Sequence, residues 1–297
     1  PFMQAQSLKV ADVGSAVEAR SLGVVHFSRS EQLLVGDVVW GFFGLQAFIR
    51  LPSSLTDCRG YCVLANKISP AAWPSSAPLS WSLSILGLSG LTAWSGLVEV
   101  GRVKAGEVVF ISSAAGSIGL IAGQIAKALG CYVVGSASTD EKCRIARSVG
   151  FDACFNYHSA VGSSQMRSSQ ATHGIAQAIS KPCARGVDLF FDSVGGPMID
   201  AACITAKPRG RIVVCGAISE QFRKDSEPRY GVRFLPIMIE KMLELKGFSV
   251  FDYYPDKQEE YLSQMCRWIS EGKVSVYEEH FVDGLEHAPE AFCSMVQ

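Results

Sequence analysis

From Glu107 onward the chain alternates short β-branched apolar runs with stretches whose apolar residues recur at helical spacing. That alternation is the pattern of a parallel sheet covered by helices. The predicted strands are Val108–Ser112, Tyr132–Ser136, Ala153–Phe155, Val187–Asp192, Arg211–Cys215 and Leu245–Val250. Between the first two, Ile118, Ile121, Ile125 and Leu129 fall on one helical face and Gly130 stands where a helix stops, so this stretch reads as a βαβ unit. A second helix is predicted to open with a capping box, Ser138 and Glu141 standing in the S-x-x-E relation, and to close at Gly150 after Ile145, Ala146 and Val149. Lys142 then lies in its first turn. The segment Ser159–Lys181, rich in Ser, Gln and Ala, reads as a loop flanking one helix.

Before about Leu83 the rhythm changes. Strand-like pieces at Leu22–Phe27, Asp37–Phe43 and Gln46–Leu51 are separated by Gly, Pro and Ser clusters, which predicts a smaller, mostly-β domain. The Ser/Pro-rich stretch Ser69–Pro78 is its exit toward the second domain.

Composition narrows the function classes. A chain of 297 residues can build two domains around one cleft, and 48% hydrophobic with 19% charged residues is ordinary globular usage. Lys plus Arg (27) nearly cancel Asp plus Glu (28), with no run of like charges, so nothing points to nucleic acid or to an anionic membrane. No apolar stretch approaches the roughly 18 residues that span a bilayer, and the start does not resemble a signal peptide. The expected partner is a small molecule. Ten scattered cysteines, several inside apolar runs such as Val213-Val214-Cys215, suit free thiols in a reducing cytoplasm better than a disulfide framework.

The motif that carries chemistry is Val108-Val109-Phe110-Ile111-Ser112-Ser113-Ala114-Ala115-Gly116-Ser117-Ile118-Gly119. Glycine lets the backbone approach a pyrophosphate, and the helix that follows offers free N–H groups and a positive dipole end. Strand, glycine turn, helix and second strand occur in the order a dinucleotide site requires. Proteins that bind NAD place an acid at the end of the second strand, on the ribose hydroxyls; this chain has Val134-Gly135-Ser136-Ala137 there. Lys142 just beyond is placed to pair with a 2′-phosphate, and Tyr157 after the third strand to donate a hydrogen bond to it, which favours NADP over NAD. By spacing alone Lys142 is equally a solvated helix-face lysine and Tyr157 a partly buried aromatic.

Taken together, Leu88-Ser89-Gly90-Leu91-Thr92-Ala93, Ala114 to Gly119, Asp140-Glu141-Lys142, Phe155-Asn156-Tyr157, Asp192-Ser193-Val194-Gly195-Gly196 and Cys215-Gly216-Ala217-Ile218-Ser219 resemble one family. It is the prostaglandin reductase/alkenal double-bond reductase branch of the medium-chain dehydrogenase/reductase superfamily, and the likeness covers nearly the whole chain. The resemblance implies an α/β fold: a Rossmann doubly wound parallel sheet with a smaller, mostly-β GroES-like domain. The expected division is 1–84 for the GroES-like catalytic domain, 85–251 for the NADP-binding domain, and 252–297 for a segment returning to the catalytic domain. It also implies a cytoplasmic, zinc-independent oxidoreductase that uses NADPH to reduce C=C bonds conjugated to a carbonyl, with a homodimer as the assembly in view. Gly116, Ser117, Ile118 and Gly119 would hold the pyrophosphate, and Lys142 and Tyr157 the 2′-phosphate. Ser193, where the family usually has Asn, would lie near the adenosine half. Cys215, Gly216, Ala217, Ile218, Ser219 and Gln221, with Phe248, Ser249 and Val250, would flank the nicotinamide end; Cys215 and Phe248 also read as strand-end core residues.

Zinc-dependent relatives need clustered Cys or His donors, whereas here only Cys58 and Cys62 are close and the five histidines, His26, His158, His173, His280 and His287, are isolated. Two family tyrosines near the reacting centre are replaced, by Phe2 and by Gln221. Phe2 supplies only an apolar wall, while the Gln221 amide can still donate, which makes Gln221 the candidate catalytic residue. Family members begin with several strands before Pro1 and continue past Gln297, so the small domain is expected to be incomplete. Reduction of an enone or alkenal is the leading reading. Quinone reduction and an impaired NADPH-binding protein are the alternatives.

Overall fold

The computed structural model describes residues 18–50, 66–67, 77–161, 169–221, 228–277 and 282–296. The chain divides into two compact units, one of residues 1–83 with 276–297 and one of residues 84–275. In the first, strands β1 (Glu18–Val24), β2 (Val38–Gly44) and β3 (Asn66–Lys67) form an antiparallel sheet in that order, with Val24 opposite Val38. Val39 and Trp40 bury their side chains on β2. The expected strand at Gln46–Leu51 does not form over its described part, residues 46–50, which are exposed. An alternating run becomes a strand only when a neighbour takes up its N–H and C=O groups.

The second unit is built on six parallel strands: β4 (Val108–Ile111), β5 (Tyr132–Ala137), β6 (Ala153–Asn156), β7 (Val187–Asp192), β8 (Ala206–Val214) and β9 (Glu244–Gly247). Their order is β6-β5-β4-β7-β8-β9. The first strand therefore sits beside the fourth, and the chain runs outward in both directions from that pair. This is the doubly wound order, whose switch point opens a crevice at the carboxyl ends of the two central strands.

The helices are α1 (Leu88–Trp94), α2 (Ser117–Ala128), α3 (Asp140–Ser148), α4 (Tyr157–Val161), α5 (Ser169–Ser180), α6 (Pro197–Thr205), α7 (Ile218–Gln221), α8 (Leu235–Lys241), α9 (Tyr254–Ser270) and, in the first unit, α10 (Ala288–Val296). Phe110 stacks on Phe190 with ring centroids 4.5 Å apart, and Ile175 and Ile179 of α5 with Met198, Ile199 and Ala202 of α6 close over them. Helix α1 packs against both α2 and α9. Tyr261 of α9 is fully buried and donates from its hydroxyl to the Ile85 carbonyl at 2.5 Å, which ties the start of α1 to α9.

Glycines end two helices as the sequence predicts. Gly130 and Gly150 take φ of +84° and +106°, the left-handed region that a Cβ disfavours. The start of α3 differs. The N-cap is Thr139, whose Oγ1 accepts the Lys142 N–H at 3.1 Å, not Ser138. Strand β5 runs on through Ala137, so α3 opens one residue later than the capping box predicts. The cap is displaced by one residue.

Candidate dinucleotide site

The strand registers bring the predicted residues to one edge. Ile111 pairs with Phe191, Ala137 with Asn156 and Val214 with Gly247. Ser112 and Asp192, Ser138 and Tyr157, and Cys215 and Phe248 therefore leave the carboxyl edge side by side.

The turn after β4 is tight. Ser113 holds φ at +52°, unusual for a side chain other than glycine, and accepts the Gly116 N–H at 2.9 Å. Gly116 is the N-cap of α2 and supplies no side-chain cap, so the N–H groups of Ser117, Ile118 and Gly119 precede the first helical bond, Leu120 to the Gly116 carbonyl at 2.9 Å. Three donors and the positive end of the dipole thus open onto the crevice. Two glycines here are dictated by packing. A Cβ on Gly119 would stand 2.2 Å from the Ser113 carbonyl oxygen, and one on Gly123 would stand 2.0 Å from the Phe151 ring.

At the outer rim, Lys142 is exposed in the first turn of α3, with no ion-pair partner for its ammonium among the described residues. Asn156 Nδ2 donates to Asp140 Oδ1 at 3.1 Å, which fastens the end of β6 to the start of α3. Tyr157 is half-buried; burial raises its pKa, and the Ser138 hydrogen bond pulls it back.

The centre of the edge holds a feature that sequence reasoning did not single out. Asp192 is fully buried, and its Oδ1 accepts the Ser112 hydroxyl at 2.6 Å and the Val194 N–H at 3.0 Å while its Oδ2 accepts the Gly195 N–H at 2.8 Å. Ser112 Oγ in turn accepts the Ser193 N–H at 2.9 Å. The Asp192 carbonyl receives Cys215 and Gly216 N–H groups at 2.7 and 3.1 Å, and the Ser193 and Val194 carbonyls receive those of Ile218 and Ser219 at 3.1 and 3.0 Å. One continuous hydrogen-bonded assembly joins the glycine turn, Ser193 and the run Cys215–Ser219. The signal for it in sequence was an acid ending an apolar strand; its partner Ser112 lies 80 residues away.

Ala217 and Ile218 are exposed, and Gln221 is half-buried at the end of α7. Burial, first of all, pushes the Cys215 thiol up to about 12, so it is neutral near pH 7. Phe248 packs edge-on to Tyr253 at 6.0 Å, and its ring would lie 3.0 Å from a Cβ on Gly96; Ser249 and Val250 begin the short helical turn that follows. Phe248 thus fills the turn after β9. A cavity of about 170 Å³ lies beneath Val194, Gly195 and Ser219, walled by Ile175 and Met198 and reached by Glu220 and Tyr230. A second buried carboxylate, Asp200 on α6, accepts the Tyr230 hydroxyl at 2.6 Å and the Arg233 N–H at 3.0 Å. Among the described residues no three His, Cys, Asp or Glu side chains cluster as a metal site would require. Cys58, Cys62, His280 and Phe2 lie outside the described residues.

A doubly wound sheet with an uncapped, glycine-opened helix at its switch point defines a dinucleotide-binding domain. Residues 117–271 match the zinc-binding dehydrogenase family. The chain is 35% identical over 303 residues to the NADP(+)-dependent 2-alkenal reductase of Nicotiana tabacum, covering 99% of this chain and 80% of that one. It is 32% identical over 297 residues to prostaglandin reductase 1 of Mus musculus, covering 100% of this chain and 82% of that one. The crystal structure of CurA in complex with NADPH from Vibrio vulnificus superposes with a TM-score of 0.77 at 28% identity, over 100% of this chain and 82% of that chain. The chain belongs to the medium-chain dehydrogenase/reductase superfamily, in its alkenal and prostaglandin reductase branch. Its fold is a Rossmann sheet accompanied by a smaller GroES-like domain.

Proposed function

We propose that this chain reduces the conjugated C=C bond of enones and alkenals with NADPH, without zinc. The observation that carries the reading is the open N-terminus of α2 at the switch point, with the exposed Lys142 ammonium and the Tyr157 hydroxyl at its rim. These residues fit the cofactor. Gly119 admits no Cβ, the Ser117, Ile118 and Gly119 N–H groups suit a pyrophosphate, and Lys142 supplies the cation a 2′-phosphate needs. Ser193 attends the adenosine half, while Cys215 to Ser219, Gln221 and Phe248 to Val250 wall the nicotinamide end. When bound, the nicotinamide supplies a hydride to the β-carbon and leaves an enolate.

The protein's part is orientation and one hydrogen bond. The Gln221 amide donates to the developing oxyanion, and no strong acid or base is required, since the α-carbon is protonated afterwards. In this reading the unit of residues 1–83 with 276–297 forms the catalytic part and the unit of residues 84–275 the cofactor part. The described cysteines are all free, which supports a cytoplasmic setting. The open edge β9, with Leu235, Ile239 and Met242 exposed beside it, supports a homodimer: antiparallel pairing about Leu245 would set Glu244 of one copy against Lys246 of the other.

NADPH consumption with enones, alkenals and quinones tests the reading. Turnover of enones and alkenals, lowered at least several-fold in kcat by Gln221→Leu, is expected. NADPH binding with no turnover of any enone or alkenal would overturn it, and turnover of quinones alone would select the alternative chemistry.

A further inference from the structure

A buried carboxylate is costly unless something compensates it, and Asp192 has no cationic partner among the described residues. A strand end does not demand an acid: the other five strands of the sheet end at Ile111, Ala137, Asn156, Val214 and Gly247. What Asp192 does have is three donors drawn from both sides of the switch point, Ser112 after β4 and the N–H groups of Val194 and Gly195 after β7. Burial raises its pKa while these donors hold it down.

The loop it grips turns on two glycines. Gly195 and Gly196 take φ of +73° and +59°, a conformation open to many alternatives for glycine. Held there, the loop interlocks with the next turn: a Cβ on Gly195 would lie 3.0 Å from the Ala217 Cβ, and the Ser193 and Val194 carbonyls receive the Ile218 and Ser219 N–H groups. The carboxylate fixes the loop, and the loop fixes the turn.

We propose that Asp192 is a positioning residue of the cofactor crevice: its buried side chain locks the loop Ser193–Gly195 to Ser112 and thereby sets the run Cys215–Ser219 against the nicotinamide half of the dinucleotide. The proposal rests on the NADPH reading above. Asp192 touches no reacting atom. Its action falls chiefly on the nicotinamide side, through the run Cys215–Ser219, and reaches the adenosine half only through Ser193; the rim at Lys142 and Tyr157 is held by separate bonds, Thr139 to Lys142 and Asn156 to Asp140.

Asp192→Asn makes the test. The amide keeps one acceptor oxygen but turns an N–H₂ toward a backbone N–H, so at least one loop bond is lost. Dissociation constants for NADPH and for adenosine 2′,5′-bisphosphate, which lacks the nicotinamide half, are measured on the full chain with its folding checked by circular dichroism. The expected result is NADPH binding weakened at least ten-fold with adenosine 2′,5′-bisphosphate weakened no more than about three-fold, the share Ser193 carries, a split that general loosening of the fold would not produce. Ser112→Ala, which removes the bonds to Asp192 and to the Ser193 N–H, serves if Asp192→Asn does not fold, and should weaken NADPH alone by about three-fold. Lys142→Ala is the control and should weaken both ligands. No effect of Lys142→Ala would overturn the cofactor reading itself. Equal or absent effects of both Asp192→Asn and Ser112→Ala, with the Lys142→Ala effect intact, would overturn only the role of Asp192.

Discussion

The rim and the centre of the same sheet edge are built on opposite terms. At the rim, Lys142 and Tyr157 are held by bonds that span few residues, Thr139 to Lys142 over three and Asn156 to Asp140 over sixteen, and Lys142 stands open to water. At the centre, Ser112 and Asp192 meet across 80 residues and neither reaches water. The rim can offer charge but little rigidity, because an exposed ammonium is screened and mobile. The centre offers no charge to a ligand directly and instead fixes backbone. Recognition of the 2′-phosphate and placement of the nicotinamide are thereby separable, and substitutions should fall into two classes.

The largest effect is expected at the centre, from Gly119→Ala. Its Cβ would meet the Ser113 carbonyl oxygen at 2.2 Å, and backbone on both sides prevents an easy retreat. Overpacking of this kind costs about 1–3 kcal/mol or more, and the pyrophosphate donors would be displaced with it. Thermal unfolding should show a lowered Tm and calorimetry no measurable NADPH binding; a variant of unchanged Tm and affinity would break the distinction between the two regions.

Lys142→Ala should come next, and at the rim the effect should be selective. Removing an exposed cation from a charge-assisted contact costs about 1 kcal/mol, or roughly five-fold in NADPH affinity, with NADH affinity and Tm unchanged. Fluorescence titration with each cofactor measures it, and equal losses for both would show that the lysine does not read the 2′-phosphate.

The smallest cofactor effect belongs to Thr139→Ala. Loss of an N-cap hydroxyl costs about 1 kcal/mol of stability, but the Lys142 side chain remains, so denaturant unfolding should move while the ratio of NADPH to NADH affinity should not. A changed ratio would mean that the cap orients Lys142, and that rim and helix stability are coupled.

Legibility in the sequence followed the same division. Ser112 reads in the sequence as the last residue of a strand and Ser138 as a cap, but Ser112 hydrogen-bonds Asp192 of a neighbouring strand and the cap is Thr139. Their signals are ambiguous because a serine before a helix is a cap by local rules, and the run of β5 through Ala137 moves the cap one residue on. The strand expected at Gln46–Leu51 failed for a related reason, since alternation records a willingness to pair but not the presence of a partner.

By itself the sequence determined the period of the central strands and of helices α2 and α3, the glycine turn after Ile111 and the missing acid at the end of β5, because helical spacing, left-handed glycines and the charge of a side chain are local properties. Gly130 and Gly150 follow the ends of their helices in the left-handed region. Only the tertiary structure decided that β4 lies beside β7, that Ser112 therefore meets Asp192, and that the loop after β7 is clasped to the turn after β8. Those contacts depend on strand order and register, and a hydrogen bond between residues 80 apart leaves no period in the chain from which it can be read.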